Sequence, residues 1–410
     1  MSPGTALLAR TIRLDRDVDL LAVAGADGVL FSRRGSGFAG AGVAARASRF
    51  EAADVLAAAS VVDEVGHPGT GPVAFGALPF LPGAPADLVV PELVVGRDPD
   101  GTRWVTTIGR ADDGEVPDPV AALEARLAAT ATRPTGGPGA FEVRSSRPPE
   151  AWTDAVATAT ARIRADELDK VVLAREVVVT ADAPIPVGTV LLRLQQAHPD
   201  CFLYLVDGYC GASPELLVGR SGDVVRAQPM AGTAPRRGDP AADARLAANL
   251  LSSPTYRLEH QVTIDAVHDG LLAFSSYVDY EPEPSVVALA NVQHLATSVE
   301  GRLSHPPASI LELVEALHPT PAVCGRPRNA ALAVIAELEA LDRGRYAGAV
   351  GWVDGAGNGQ WAVGIRGAAI DGTVARVVAG NGIVGDSDPP TELIETRAKL
   401  QAMLAAIVRP

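Results

Sequence analysis

The sequence predicts an α+β fold built on largely antiparallel sheets. Of its 410 residues, 47% are hydrophobic and 20% charged, which excludes a disordered chain and leaves ample material for a core. Apolar runs are short and broken by turns, and strands come in groups rather than alternating strictly with helices. The clearest group is the succession Tyr346–Val353, Gln360–Ile370 and Thr373–Val378 near the C-terminus.

Taken in order, residues 1 to about 130 read as short strands at Leu20–Val23, Val73–Phe75 and Trp104–Thr107, with helices near Ala52–Ala59 and Val120–Ala129. The Gly/Pro content of Thr132–Glu150 predicts a loop or boundary. Trp152–Glu167 has helical periodicity, and LDKVVLAREVVV after it is a strand. Val187–Gln196 is helical. CFLYLVD and ELLVGR read as neighbouring strands around a turn at Gly211-Ala212-Ser213-Pro214. Asp239–Leu251 and Tyr256–Ala273 are helices separated by Ser252-Ser253-Pro254, followed by helices at Ile310–Leu317 and Asn329–Leu341. The expected division is an N-terminal half over 1–140 and a second region over 150–407.

The formal net charge is −14, and no Lys/Arg stripe offers a nucleic-acid footprint. Cys201, Cys210 and Cys324 have neither zinc-site spacing nor disulfide density. The N-terminus lacks the pattern of a signal peptide, and no apolar run is long enough to span a bilayer. A cytoplasmic protein with reduced thiols is expected.

Gly380-x-Gly382-x-x-Gly385 follows an apolar run and has the spelling of a dinucleotide fingerprint. That fingerprint needs a helix starting inside the motif, so that its amides meet a pyrophosphate. Here Asp386-Ser387-Asp388-Pro389-Pro390 intervenes, and Asp388 as cap with Pro389 in the first turn is the natural helix start. The chain also ends too soon for the second strand and its acidic residue. NAD is not the expected ligand. In the helix, Leu393, Leu400, Leu404 and Ile407 form an apolar stripe, while Glu392, Glu395 and Lys399 share another face. Alone, that face is an ordinary solvated Glu–Lys pairing. Beside a glycine loop it could equally hold a cation and an anion.

Several short patterns recur in order. They are Lys170-Val-Val-Leu-Ala-Arg175, Gly211-Ala-Ser-Pro-Glu215, Gln228-Pro-Met-Ala-Gly232-Thr233 and Arg257-Leu-Glu259-His260. Asn291-Val-Gln-His294, His318-Pro-Thr-Pro-Ala-Val-Cys-Gly325 and Trp361-Ala-Val-Gly-Ile-Arg366 complete the series. Each has a bland reading singly. Together, from about Glu150 to Ile407, they resemble the chorismate-utilising enzymes, which comprise isochorismate, salicylate, anthranilate and aminodeoxychorismate synthases.

The resemblance implies two stacked, largely antiparallel sheets flanked by helices, as in anthranilate synthase component I, around one buried chorismate site. It implies Mg2+ on Glu259 and Glu395, with Glu392 acting through water; hard oxygen ligands suit that ion. It maps Lys399 to the ring carboxylate, and Arg366 and Tyr346 to the pyruvyl carboxylate, with amides of Gly380, Asn381 and Gly382 assisting. Gly232, Thr233 and His294 map to further substrate contacts. Lys170 takes the place of a water-activating base, which requires a lowered pKa, and Glu215 that of the acid protonating the departing C4 hydroxyl.

Three positions separate the reactions. Lys170 stands where anthranilate synthases usually carry Gln. Ala231 stands where aminodeoxychorismate synthases carry a nucleophilic Lys. Ala322 matches isochorismate synthases, whereas salicylate synthases resemble one another in having Thr there. The expectation is a monomeric isochorismate synthase with no glutamine amidotransferase subunit, and salicylate synthase is the alternative. The pathway served, siderophore, menaquinone or salicylate, is left open.

Overall fold

The computed structural model describes residues 6–131, 136–236, 238–290 and 292–408. Two large sheets stack face to face. The larger runs Phe141–Ser145, Lys170–Ala181, Val374–Ile383, Gly367–Asp371, Tyr209–Ser213, Phe202–Val206, Val29–Arg33, Ser36–Ala41, Leu93–Arg97, Arg103–Arg110, Leu7–Arg13 and Ser60–Asp63, in that spatial order. The second runs from Ser275–Tyr280 through Leu216–Ser221, Gly359–Val363 and Ala349–Asp354 to Ala45–Ser48. Among the described residues the pairings are antiparallel except that of Leu7–Arg13 with Ser60–Asp63. The predicted α+β class and stacked antiparallel sheets are observed.

The inter-sheet core is aromatic where the chain is otherwise aromatic-poor. Phe38 of the larger sheet lies 4.5 Å, centroid to centroid, from Trp352 and 6.2 Å from Phe75 of the second. The outer face of the larger sheet is covered by helices Leu20–Ala24, Val187–Ala197 and Pro389–Val408, through Val190, Leu194, Leu400 and Ile407. The expected stripe is thus inward, with Leu393 and Leu404 partly buried and Met403 and Ala406 completing it. Residues before 140 and after 150 share both sheets: Val29–Arg33 pairs with Phe202–Val206, and Val73–Ala77 with Ala349–Asp354.

Local chemistry explains most element ends. Asp239 caps helix Pro240–Ser252 by accepting from the Ala241 and Ala242 amides. Ser309 and Glu312 form a reciprocal capping box on helix Ile310–Leu317. Asp388 starts the C-terminal helix as expected, its carboxylate accepting from the Thr391 amide at 3.1 Å.

Four expectations are corrected. Leu20–Ala24 is a short helix, because Asp19 caps it and Gly25, at φ 61°, ends it. Within the expected loop, Phe141–Ser145 is an edge strand on Lys170–Ala181, and Thr132–Thr135 lie outside the described residues. Gly211–Ser213 belongs to strand Tyr209–Ser213, which pairs with Phe202–Val206; Leu216–Ser221 lies in the other sheet. Gln360–Ile370 is likewise two strands in different sheets, Gly359–Val363 and Gly367–Asp371.

Candidate active site

The last two corrections locate the site. The chain crosses between sheets once after Ser213, through Pro214 and Glu215, and again at Gly364–Arg366. The crossings lie side by side: the Val363 amide donates to the Glu215 carbonyl at 3.1 Å, and the Ala212 amide to the Arg366 carbonyl at 3.1 Å. Arg366 makes its crossing at φ 54°, a backbone state that non-glycine residues seldom hold without a reason. One candidate site residue stands at each crossing, Glu215 at the first and Arg366 at the second.

A small cavity opens there, lined by Glu215, His294, Ala322, Tyr346, Arg366, Gly380 and Lys399, with Val172, Pro214, Met230, Val323, Ile365, Val378 and Ala379 supplying most of the apolar wall. Val172, Pro214, Met230, Val323 and Ile365 fall inside the ordered motifs, whereas Val378 and Ala379 lie just before the glycine motif.

Burial decides the charge of this cavity. Glu215, 4% exposed, is pushed up to about 8, because desolvation outweighs the Met230 amide and the charges of Lys170 and Arg366. It is therefore a protonated acid at neutral pH. Burial and then the cations Arg366 and Lys399 hold His294 well below its usual value. Its tautomer follows from its neighbours. Arg366 can only donate, so Nε2, 3.2 Å from Arg366 Nη2, accepts. The proton is left on Nδ1, which faces Thr233 Oγ1 at 3.2 Å and the Gly232 carbonyl at 3.4 Å. Gly232 sits at φ 73°, at the register shift between strands Met230–Pro235 and Val292–Ala296. Gly232 and Thr233 thus sit on a bulged strand. Asn291, in the motif leading to His294, lies outside the described residues. Burial also raises the Tyr346 phenol to about 12.

Beside the cavity lie two lysine–glutamate pairs. Lys170 Nζ donates to Glu259 Oε1 at 2.6 Å, and Lys399 Nζ lies 2.7 Å from Glu395 Oε1. Lys399 also donates to the Gly380 carbonyl at 3.1 Å and Asn381 Oδ1 at 2.8 Å, so its three donors have protein partners. Asn381 in turn donates to Glu392 Oε2 at 2.8 Å, and Ser387 Oγ to Glu392 Oε1 at 2.9 Å. Burial, then Glu395, raises Glu392 above the ordinary carboxyl value. Ser387 was missed in the sequence, where it reads as part of a helix-start turn.

The glycine motif is also corrected. Gly380 and Gly382 lie within strand Val374–Ile383, not in a loop, paired with Ala174 and Val172. A Cβ at Gly382 would come 2.6 Å from Lys170 Cε and 3.2 Å from Glu259 Oε1. The glycine makes room for the ion pair. The helix begins only at Pro389, so the dinucleotide geometry is absent.

Residues 33–408 match the family described as chorismate binding enzyme. The chain belongs to that family. It is 34% identical over 364 residues to isochorismate synthase MenF of Bacillus subtilis, covering 84% of this chain and 76% of that protein. It is 36% identical over 340 residues to isochorismate synthase EntC of Escherichia coli K12, covering 81% and 80%. The solved structure of MenF, the menaquinone-specific isochorismate synthase of Escherichia coli, superimposes with a TM-score of 0.83 at 25% identity, covering 98% of this chain and 95% of that one. The family match extends well before residue 150, into the half where the motifs gave little signal. Among the described residues no helix is long and apolar enough to cross a membrane.

Proposed function

We propose that the protein is an isochorismate synthase, converting chorismate reversibly to isochorismate. The observation that carries this is Glu215, a buried carboxyl protonated at neutral pH on the wall of a cavity whose other charged side chains, Arg366 and Lys399, are cations. Such a cavity accepts an anion and offers it a proton.

In this reading Arg366 and Tyr346 receive the pyruvyl carboxylate and Lys399 the ring carboxylate, with the amides of Gly380, Asn381 and Gly382 assisting. Lys170 takes a proton from water as the water oxygen bonds to C2. The ring double bonds shift, the C4–O bond breaks, and Glu215 protonates the departing hydroxyl, which leaves as water. Solvent returns one proton to Glu215 and removes one from Lys170. His294, neutral and acting as acceptor, fixes the Arg366 guanidinium; Gly232 and Thr233 fix His294.

Mg2+ is proposed on Glu259 and Glu395, with Glu392 reached through water. The donors present are hard oxygens, which suits that ion. Glu395 and Glu392 stand on helix Pro389–Val408 and Glu259 on helix Pro254–Leu272. Among the described residues these three carboxylates do not bring three oxygens within 4.8 Å of one another. When bound, the ion supplies positive charge opposite the ring carboxylate.

Ala322 offers only a methyl group to the cavity, and with Lys170 and Ala231 it favours release of isochorismate over pyruvate elimination or an amine-dependent reaction. The proposal includes a cytoplasmic monomer without an amidotransferase subunit. The test is incubation of the protein with chorismate, with and without Mg2+, and NMR identification of products. Isochorismate in equilibrium with chorismate, formed only with Mg2+, is expected. Salicylate plus pyruvate would assign the alternative.

A further inference from the structure

Outside the cavity, three metal-ligating side chains from two separate loops converge. His67 lies between strands Ser60–Asp63 and Val73–Ala77, and Asp98 and Asp100 lie in the turn joining Leu93–Arg97 to Arg103–Arg110. One donor atom from each lies within 4.8 Å of the others. His67 Nε2 is 3.6 Å from Asp98 Oδ2 and 3.9 Å from Asp100 Oδ2.

His67 and Asp100 are oriented by the backbone. The His67 loop is set by Asp63, whose Oδ1 accepts from the Val65 and Gly66 amides, and by the Thr70 amide donating to the His67 carbonyl at 3.0 Å. His67 Nδ1 lies 3.0 Å from the Pro68 carbonyl oxygen, which can only accept, so Nδ1 carries a proton and Nε2 faces the carboxylates. The ring rests against buried Trp104, with centroids 5.6 Å apart. In the turn, the Thr102 amide donates to Asp100 Oδ1 at 2.7 Å, leaving Oδ2 toward the imidazole.

An imidazole that donates its other N–H to a backbone carbonyl, facing two singly presented carboxylate oxygens, is the arrangement of a metal ligand with its supporting shell. Ligand bonds of about 2.1 Å place tetrahedral donors roughly 3.4 Å apart. The His67–Asp98 separation of 3.6 Å is close to that spacing, and Asp100, at 3.9 Å, would need to close by about half an ångström. We propose that His67, Asp98 and Asp100 form a site for a divalent transition metal of the zinc class, separate from the oxygen-ligand site of Glu259 and Glu395. The imidazole selects against Mg2+. Such an ion would tie the 64–72 loop to the 98–102 turn.

The test is a Zn2+ titration of the 15N-labelled full chain in saturating Mg2+, read by long-range histidine 1H–15N correlation and by thermal melting. One equivalent of Zn2+ should move the His67 Nε2 resonance to a metal-bound position and raise Tm. Asp98→Asn, an exposed change compatible with folding, should lower Zn2+ affinity at least tenfold, and His67→Ala should abolish the rise in Tm. An imidazolium carrying both protons and indifferent to Zn2+ would mean a salt bridge and overturn the proposal. So would undiminished Zn2+ binding by the His67→Ala protein.

Discussion

Lys170 and Glu259 form a direct ion pair, Nζ to Oε1 at 2.6 Å, across 89 residues of sequence. The base and the first cation ligand of the proposed mechanism are thus each other's partners, and Lys399 with Glu395 repeats the arrangement at 2.7 Å. Were Mg2+ held by Glu259, its charge would compete with Lys170 for that carboxylate and would leave the Lys170 amine able to face water. Replacement of Lys170 by Ala should therefore lower kcat by about 100-fold or more, the scale of a lost general base, while chorismate binding changes little. Wild-type turnover in that variant, measured by continuous assay, would remove Lys170 from the mechanism.

Gly382 tests the same pair from the backbone side. Gly382→Ala places a methyl group 2.6 Å from Lys170 Cε. The lysine end can move, so the fold should survive with a loss of about 1 kcal/mol. Turnover should fall at least tenfold. Equal losses of Tm and of folded fraction, with normal turnover per folded molecule, would contradict a role in placing the amine.

The pH dependence follows from Glu215. Its folded pKa of about 8 lies above its unfolded value of roughly 4.3. The folded state therefore favours the protonated form. That contribution is fully present below the unfolded value and is lost as pH rises through about 8. Turnover should fall over the same upper range as the acid ionises. Glu215→Gln should abolish turnover, keep substrate binding, and flatten the loss of stability that runs from roughly pH 4.3 to about pH 8, as read by denaturant titration at several pH values.

Cation binding can be separated from folding. Glu395→Gln leaves Lys399 its contacts with Gly380 and Asn381, so the fold should persist while the Mg2+ concentration for half-maximal activity rises by about 10- to 100-fold. Asn381→Ala should act in the same direction, because it releases both Glu392 and Lys399. Unchanged Mg2+ dependence in both variants, with Mn2+ binding followed by electron paramagnetic resonance, would make these carboxylates structural.

The aromatic contact between the sheets contributes to stability. Phe38 is 5% exposed and touches Trp104, Trp352 and Phe75. Phe38→Ala should cost about 3–5 kcal/mol, measurable by denaturant unfolding, with the catalytic residues untouched.

Much of this was legible in the sequence because the signals are local. Asp388 followed by Pro389 marks a helix start wherever it stands, and grouped β-branched runs mark antiparallel strands. The errors fall where local signals mislead. Leu20–Ala24 has the composition of a strand but is closed by a cap at each end. Gly211–Pro214 spells a turn, yet its first three residues continue a ladder with Phe202–Val206.

The sequence by itself determined the fold class, most element types and, through ordered motifs, a set of candidate site residues. Tertiary structure alone decided the surroundings of those residues. Burial of Glu215 at a sheet crossing raises its pKa, the Arg366 hydrogen bond sets the tautomer of His294, and the strand position of Gly382 makes room for Lys170 and Glu259. Protonation state, tautomer and ion pairing depend on desolvation and on neighbours distant in the chain, and neither quantity is carried by local spacing.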